Sequence, residues 1–208
     1  MIRINHRPLR WAALSVLAAA STLFAGCANF YVDNGLRAAD TAQITQPASP
    51  KPVQLFFSFQ TKGTANAQAT QQLKGQVTDL VKQSGLFSEI RETAAPDAGV
   101  LQLTINNVPL SDDAVSKGIM TGLTLGLAGS TVGDGYVCDL QYTRSDNSPK
   151  IQAKANHAIY TSIGASNGPE AAATKMSGIN EAVTTMVRQG IKTLLVKLSN
   201  NPQFQATP

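Results

Sequence analysis

Along this chain the apolar residues fall into segments with distinct periods. The first is unbroken: Trp11–Phe24 runs 14 residues without a charge, short of the roughly 20 that a membrane-crossing helix needs. From Ala28 to Lys51 the pattern fades into Gly, Ala, Thr, Ser and Pro, relieved by Phe30-Tyr31-Val32. From Pro52 onward, order returns. Val53, Leu55, Phe57 and Phe59 alternate and predict a strand. Leu73, Val77, Leu80, Val81 and Ser84 recur at helical spacing, so a helix is expected from Asn66 to Ser84, with Gly85 as its left-handed cap and Leu86-Phe87 as the following hydrophobic contact. Ser88–Glu92 reads as a short strand and Gly99–Leu110 as a long one. Tyr136–Thr143 and Ile151–Ile163 form a predicted hairpin across the turn-rich Arg144–Pro149. The last element is an amphipathic helix with Ile179, Val183, Met186, Val187, Ile191, Leu194, Leu195 and Leu198 on its stripe, stopped at Asn201-Pro202. Between hairpin and helix, Pro169-Glu170 could open a further helix, which Gly178 would interrupt.

One run fits no single period. GIMTGLTLGLAGSTV, from Gly118 to Val132, is 15 residues without a charge. Gly118, Gly122 and Gly126 recur every fourth residue, which on a helix makes a glycine face open to close backbone approach. Read as a strand, the same run aligns Leu123, Leu125 and Leu127 on one side. Three readings stand open: a buried or capping loop, a membrane-dipping hairpin, and a self-association zipper. Ile119, Met120, Leu123, Leu125 and Leu127 are the candidate membrane or partner contacts.

Strand, helix, three or four strands, helix is an order with one economical solution, because a single amphipathic sheet face covered by two helices buries every stripe. The expected fold is α+β, a two-layer sandwich. An antiparallel or mixed sheet of four to five strands is covered on one face by two helices, with the apolar glycine-rich run as an insertion. The expected organisation is a leader over 1–26, a lipidated cysteine and flexible tether over 27–51, and a single α+β domain over 52–208. Phe30-Tyr31-Val32 would sit at a bilayer interface or dock on that domain.

The leader carries the location. Arg3, Arg7 and Arg10 precede the apolar run, no acid accompanies them, and small residues Ala25-Gly26 follow it. Leu23-Phe24-Ala25-Gly26-Cys27 resembles a bacterial lipobox, with Phe24 at a position that usually holds Leu, Val or Ile. Acylation at Cys27 would make this a lipid-anchored periplasmic protein. Ala28-Asn29 lacks the aspartate that retains many enterobacterial lipoproteins in the inner membrane, so the resemblance favours the outer one. Cleavage also changes the charge. The precursor has 17 Lys+Arg against 13 Asp+Glu, and three arginines leave with the leader, so the mature chain carries a net +1. Its basicity belongs to secretion and gives no nucleic-acid patch.

Catalytic chemistry finds little material. Once Cys27 is consumed by lipid, Cys138 has no partner for a disulfide, and it reads as a buried, inert thiol in an alternating strand rather than a reactive one. The mature chain has one histidine, His157, whose companions Ala155 and Ile159 mark a packed or rim position. Ser-x-x-Lys is absent from the sequence. Gly129-Ser130-Thr131-Val132-Gly133 lacks the lysine of a phosphate loop. Asp112-Asp113 and Asp134 flank the glycine-rich run as solvated carboxylates, and Asn106-Asn107 reads as a turn or bulge. No metal or other cofactor is expected.

The stretches QTKGTANAQAT, SGLFSEI, LQLTINNVPLSDDAVSKG and TGLTLGLAGSTVGDGYVC, with the final helix, resemble an uncharacterised family of proteobacterial lipoproteins. The resemblance runs from Pro52 to Phe204 and implies a location but no reaction. The element order is also similar, at fold level, to envelope-assembly and transport-auxiliary lipoproteins. The expectation is a non-enzymatic, outer-membrane-anchored accessory for envelope assembly, scaffolding or transport, with an envelope protein as partner. The alternative is a carrier of a lipid or small apolar ligand, with residues 118–132 as its lid.

Overall fold

Alternation of apolar and polar residues produces most of the strands, and the computed structural model shows how they join. It describes residues 28–110, 131–145, 149–163 and 169–206. The leader, Cys27 and the candidate contacts Gly118, Ile119, Met120, Gly122, Leu123, Leu125, Gly126 and Leu127 lie outside the described residues.

The strands are β1 (Ala28–Asp33), β2 (Lys51–Thr61), β3 (Thr64–Ala65), β4 (Phe87–Arg91), β5 (Gly99–Pro109), β6 (Thr131–Thr143), β7 (Ile151–Ile163) and β8 (Ala173–Met176). They form one eight-stranded sheet in the order β3-β2-β5-β6-β7-β1-β8, with β4 also paired to β2. β2 runs parallel to β5 and to β4, and the other pairings are antiparallel. The sheet is therefore mixed, but eight strands replace the four to five expected.

Helix α1 (Ala67–Gln83) connects β2 to β4 as a crossover between parallel strands. Asn66 caps it by accepting a hydrogen bond from the Ala69 amide at 3.0 Å. Gly85 closes it at φ +67°, and Leu86 behind it is buried. Helix α2 (Ile179–Ser199) lies beside α1, with Gln76 donating to the Thr184 carbonyl at 2.7 Å. The short α3 (Pro202–Gln205) follows. Beneath the helices the main core gathers Val53, Leu101, Leu103, Ile105, Leu140 and Ile159 from the sheet and Val77, Met186, Ile191 and Leu194 from the helices.

The segment expected as a flexible tether is built into the fold. β1 sits between β7 and β8, pairing Val32 with Ile159 and with Thr174. Tyr31 and Val32 are 2% and 1% exposed. Both faces of β1 are used: Val32 enters the main core, while Tyr31 joins Ala158, Tyr160 and Ala173 in a second cluster against which Leu110 packs. A 3₁₀ helix, Asn34–Asp40, then crosses onto α2, started by Asp33, whose carboxylate accepts from the Gly35 amide at 2.7 Å. Burial of three consecutive residues, Tyr31–Asp33, outweighs the linker-like composition around them. Phe30-Tyr31-Val32 thus docks on the domain.

Three smaller expectations change as well. Pro169-Glu170 belongs to a turn that leads into β8, not to a helix. β6 starts at Thr131, five residues before Tyr136, because its glycines pair in register with β7. Asn106-Asn107 sits in regular β5 pairing, and the Asn106 side chain accepts from the Gly63 amide at 2.9 Å. No helix among the described residues is long and apolar enough to cross a membrane.

Candidate functional site

The strand register separates the sheet into two poles. At one, Ala28 pairs with Ile163 and Thr131 with Ser162. Pro109 pairs with Asp134, and the Leu110 amide reaches the Gly133 carbonyl at 3.1 Å. Residues flanking the glycine-rich run on both sides therefore emerge beside the residue that follows Cys27. At the other pole β2, β5 and β7 begin and β6 ends. The 13 residues of β6 put about 40 Å between the poles.

The far pole holds a cavity of about 440 Å³, between α3 and the strand ends. Phe87, Tyr142 and Phe204 form part of its wall, stacked at tilted or edge-on angles with ring centroids 5.3–5.9 Å apart. Lys51, Asp97 and Arg144 stand at its rim. Arg144 organises this end of the chain. Its Nη2 donates to the carbonyls of Gln203, Phe204 (2.9 Å) and Ala206 (2.6 Å), holding α3 against the sheet. An apolar cavity with a few charged groups, of about 300–1,000 Å³, is the usual form of a small-ligand site.

The groups most capable of chemistry are committed elsewhere. His157 is completely buried on β7. Its Nδ1 accepts from the Ala158 amide at 3.0 Å, which leaves Nε2–H to donate to Gln189 Oε1 at 2.9 Å. Gln189 in turn donates to Asp40 Oδ2 at 2.7 Å. Asp40 also receives Arg188 Nε at 2.9 Å, and its carbonyl receives Lys192 Nζ at 2.9 Å. This chain ties sheet, helix and 3₁₀ segment together, which matches a packed histidine. Burial pushes the His157 pKa down, against the hydrogen bond to Gln189 and the charges of Asp33 and Asp40. Burial alone would raise Asp40, but the hydrogen bonds from Gln189 and Arg188 and the nearby cations hold it below the usual carboxylate range.

Cys138 is fully buried, and burial, with a smaller contribution from Asp139, pushes its thiol up to about 12. A thiol so far from ionisation is a poor nucleophile. Asp134, on β6, faces Ile159. Among the described residues, no three His, Cys, Asp or Glu side chains converge as metal ligands would.

The sequence reading missed both the cavity and the Asp40 network. Phe204 follows a helix stop and looks like a tail residue, and Arg144 sits in a turn-rich stretch. Asp40 lies in the apparent spacer. Each gains meaning only from partners far along the chain.

No family model and no curated protein matches this chain. Among solved structures it is similar to a PelC dodecamer from Paraburkholderia phytofirmans, at 13% identity, covering 74% of this chain and 93% of that one, with a TM-score of 0.35. It is similar to a minor lipoprotein from Acinetobacter baumannii at 16% identity, covering 78% and 100%, TM-score 0.36. A third similarity is to uncharacterized lipoprotein B from Nitrosomonas europaea, at 9% identity, covering 76% and 87%, TM-score 0.39.

Proposed function

We propose that this chain is a lipoprotein, cleaved after Gly26 and acylated at Cys27, held on the periplasmic face of the outer membrane. It acts there as a non-enzymatic accessory in envelope assembly, scaffolding or transport, working with an envelope protein. The observation that carries the reading is the continuity of leader and fold: the lipobox-like Leu23–Cys27 runs directly into β1 at Ala28. The far pole, with its cavity and the Lys51, Asp97 and Arg144 rim, is then presented to the periplasm about 40 Å from the anchor. The commitment of His157 and Cys138 to packing under α2 supports a non-enzymatic role.

Intact mass of the membrane-extracted protein tests the anchor. It should correspond to a chain beginning at Cys27 and bearing acyl groups. Trp11 is the only tryptophan, so processed protein should also lack tryptophan emission. A mass that includes residues 1–26 would overturn the reading. Photo-crosslinking in intact cells from a probe at Lys51 tests the accessory role, with one recurrent envelope partner as the expected result.

The cavity also favours a second reading, a carrier of a small apolar ligand. Phe204→Trp would place the mature chain's single tryptophan in the cavity wall. Fatty acid added to that variant should change its emission if the cavity takes such ligands.

A further inference from the structure

Four large hydrophobic side chains stand exposed among the described residues: Phe56, Val132, Ile163 and Ile179. Three of them lie at the anchor pole. Val132 pairs with Thr161, and Ile163 pairs with Ala28. Directly opposed residues share a face, as do residues two apart on one strand. Val132, Thr161, Ile163 and Ala28 therefore stand on one side of the sheet. It is the same side as Val32 and Ile159, which belong to the main core. The core face thus continues past the helix layer and reaches solvent there, with Val132 60% and Ile163 54% exposed. β8 brings Ile179 to the same place. Met176 pairs with Phe30, and the chain continues towards the Ala28 end before α2 starts at Ile179, 45% exposed.

The position of the anchor decides what covers this surface. Ala28 is already in β1, so nothing separates the fold from Cys27. One residue of backbone spans at most about 3.6 Å. An acylated Cys27, its chains in the hydrocarbon and its backbone at the glycerol level, leaves the Ala28–Ile163 pair no room to stand clear of the lipid headgroups.

We propose that this pole, Ala28, Val132 and Ile163 with Ile179 beside them, beds into the headgroup region of the bilayer that holds the anchor. The proposal rests on the acylation of Cys27 proposed above. It makes the domain a rigidly seated body with a defined membrane face. Exposed apolar side chains at an interface gain from leaving water in the way that interfacial amphipathic elements do, and a clustered apolar surface at the end of a folded domain marks such a contact.

The test uses the full, acylated chain in phosphatidylethanolamine–phosphatidylglycerol vesicles, carrying one environment-sensitive fluorophore on Val132→Cys, Ile163→Cys or, as control, Gln102→Cys. All three positions are on strands, and Gln102 is exposed near the middle of β5. Cys138 is buried and does not compete for the label. On vesicles, the probes at 132 and 163 should brighten several-fold and lose quenching by aqueous iodide, while the probe at 102 changes in neither respect. Equal iodide access at all three positions in vesicle-bound protein would overturn the seating while leaving acylation intact. Protection that occurs in native envelopes but not in protein-free vesicles would also overturn it, assigning the surface to a protein. A mass without acyl groups would instead overturn the acylation reading, and is read separately from the fluorescence.

Discussion

The Cys138 thiol on β6 faces Gly190 on α2 so closely that a Cβ on Gly190 would lie 2.8 Å from Sγ. This contact sets how near the long helix approaches the middle of the sheet. Gly190→Ala should therefore destabilise the protein, since overpacking costs about 1–3 kcal/mol and the gain in helix propensity returns only about 1 kcal/mol. In a Cys138→Ala background the space is vacated, and the same Gly190→Ala change should become neutral or stabilising. A double-mutant cycle from urea melts checks the sign of the coupling. Additive effects would mean that the two residues do not constrain each other.

Acid should weaken the fold through His157 and Asp40. A base whose folded pKa is depressed contributes stability that is present above its unfolded pKa and is lost as pH falls, because the unfolded chain takes up the proton first. For His157 the loss sets in below about pH 6.5. Asp40 has the same sign for the carboxylate case and adds a further loss below about pH 4. Because the other histidine of the sequence, His6, lies outside the described domain, melting temperature of a chain beginning at Ala28, measured from pH 7 to pH 5, should fall with His157 unaltered. The slope should flatten in His157→Asn, whose overall stability is lower.

Removing residues 28–40 should destabilise or unfold the domain. Tyr31 and Val32 are both nearly inaccessible, and each large buried side chain is worth roughly 1.5–3 kcal/mol against a typical net stability of about 5–15 kcal/mol. The Asp40 hydrogen bonds to α2 would go with them. Chains beginning at Ala28 and at Thr41 can be compared by thermal melting and dye binding. A Thr41 chain that melts cooperatively at the full-length temperature would show that β1 is dispensable.

Arg144→Ala should release α3 without melting the sheet. Three carbonyls of residues 203–206 lose their common donor, so amide exchange at 203–206 should accelerate while β5 and β6 stay protected. Phe204→Ala removes a buried ring, and such truncations cost about 3–5 kcal/mol. It should lower the melting temperature more than Arg144→Ala does.

The elements legible in the sequence are those whose partners lie on one side only. β5 alternates because one face meets the helix layer and the other is the more exposed, so Leu101, Leu103 and Ile105 announce themselves. α1 was readable down to Asn66 and Gly85 because caps are local chemistry. β1 was hidden for the opposite reason. It is buried on both faces over only a few residues, so Tyr31 and Val32 show no alternation, and what they pack against is more than a hundred positions away. Gly133 and Gly135 precede the expected strand start at Tyr136, yet they continue β6 because β5 and β7 supply the ladder on either side. The candidate site fared the same way. His157 and Cys138 were legible as packed residues from their strand neighbours. Lys51, Tyr142, Arg144 and Phe204 come from four separate stretches, and no spacing links them.

The place of β1 between β7 and β8 orders events in time. Asp40 and Arg188, which lock the N-terminal segment onto α2, are 148 positions apart. Whether the chain leaves a ribosome or crosses a membrane, it emerges from its N-terminus, so the first strand out must wait for nearly the last. Until then β7 has an open edge, Tyr31 and Val32 stand bare, and pairing of such high sequence separation is slow and exposed to aggregation. Folding of this protein is thereby coupled to completion of its delivery: a chain halted short of Ala173 lacks β8, one of the two neighbours that enclose its opening strand.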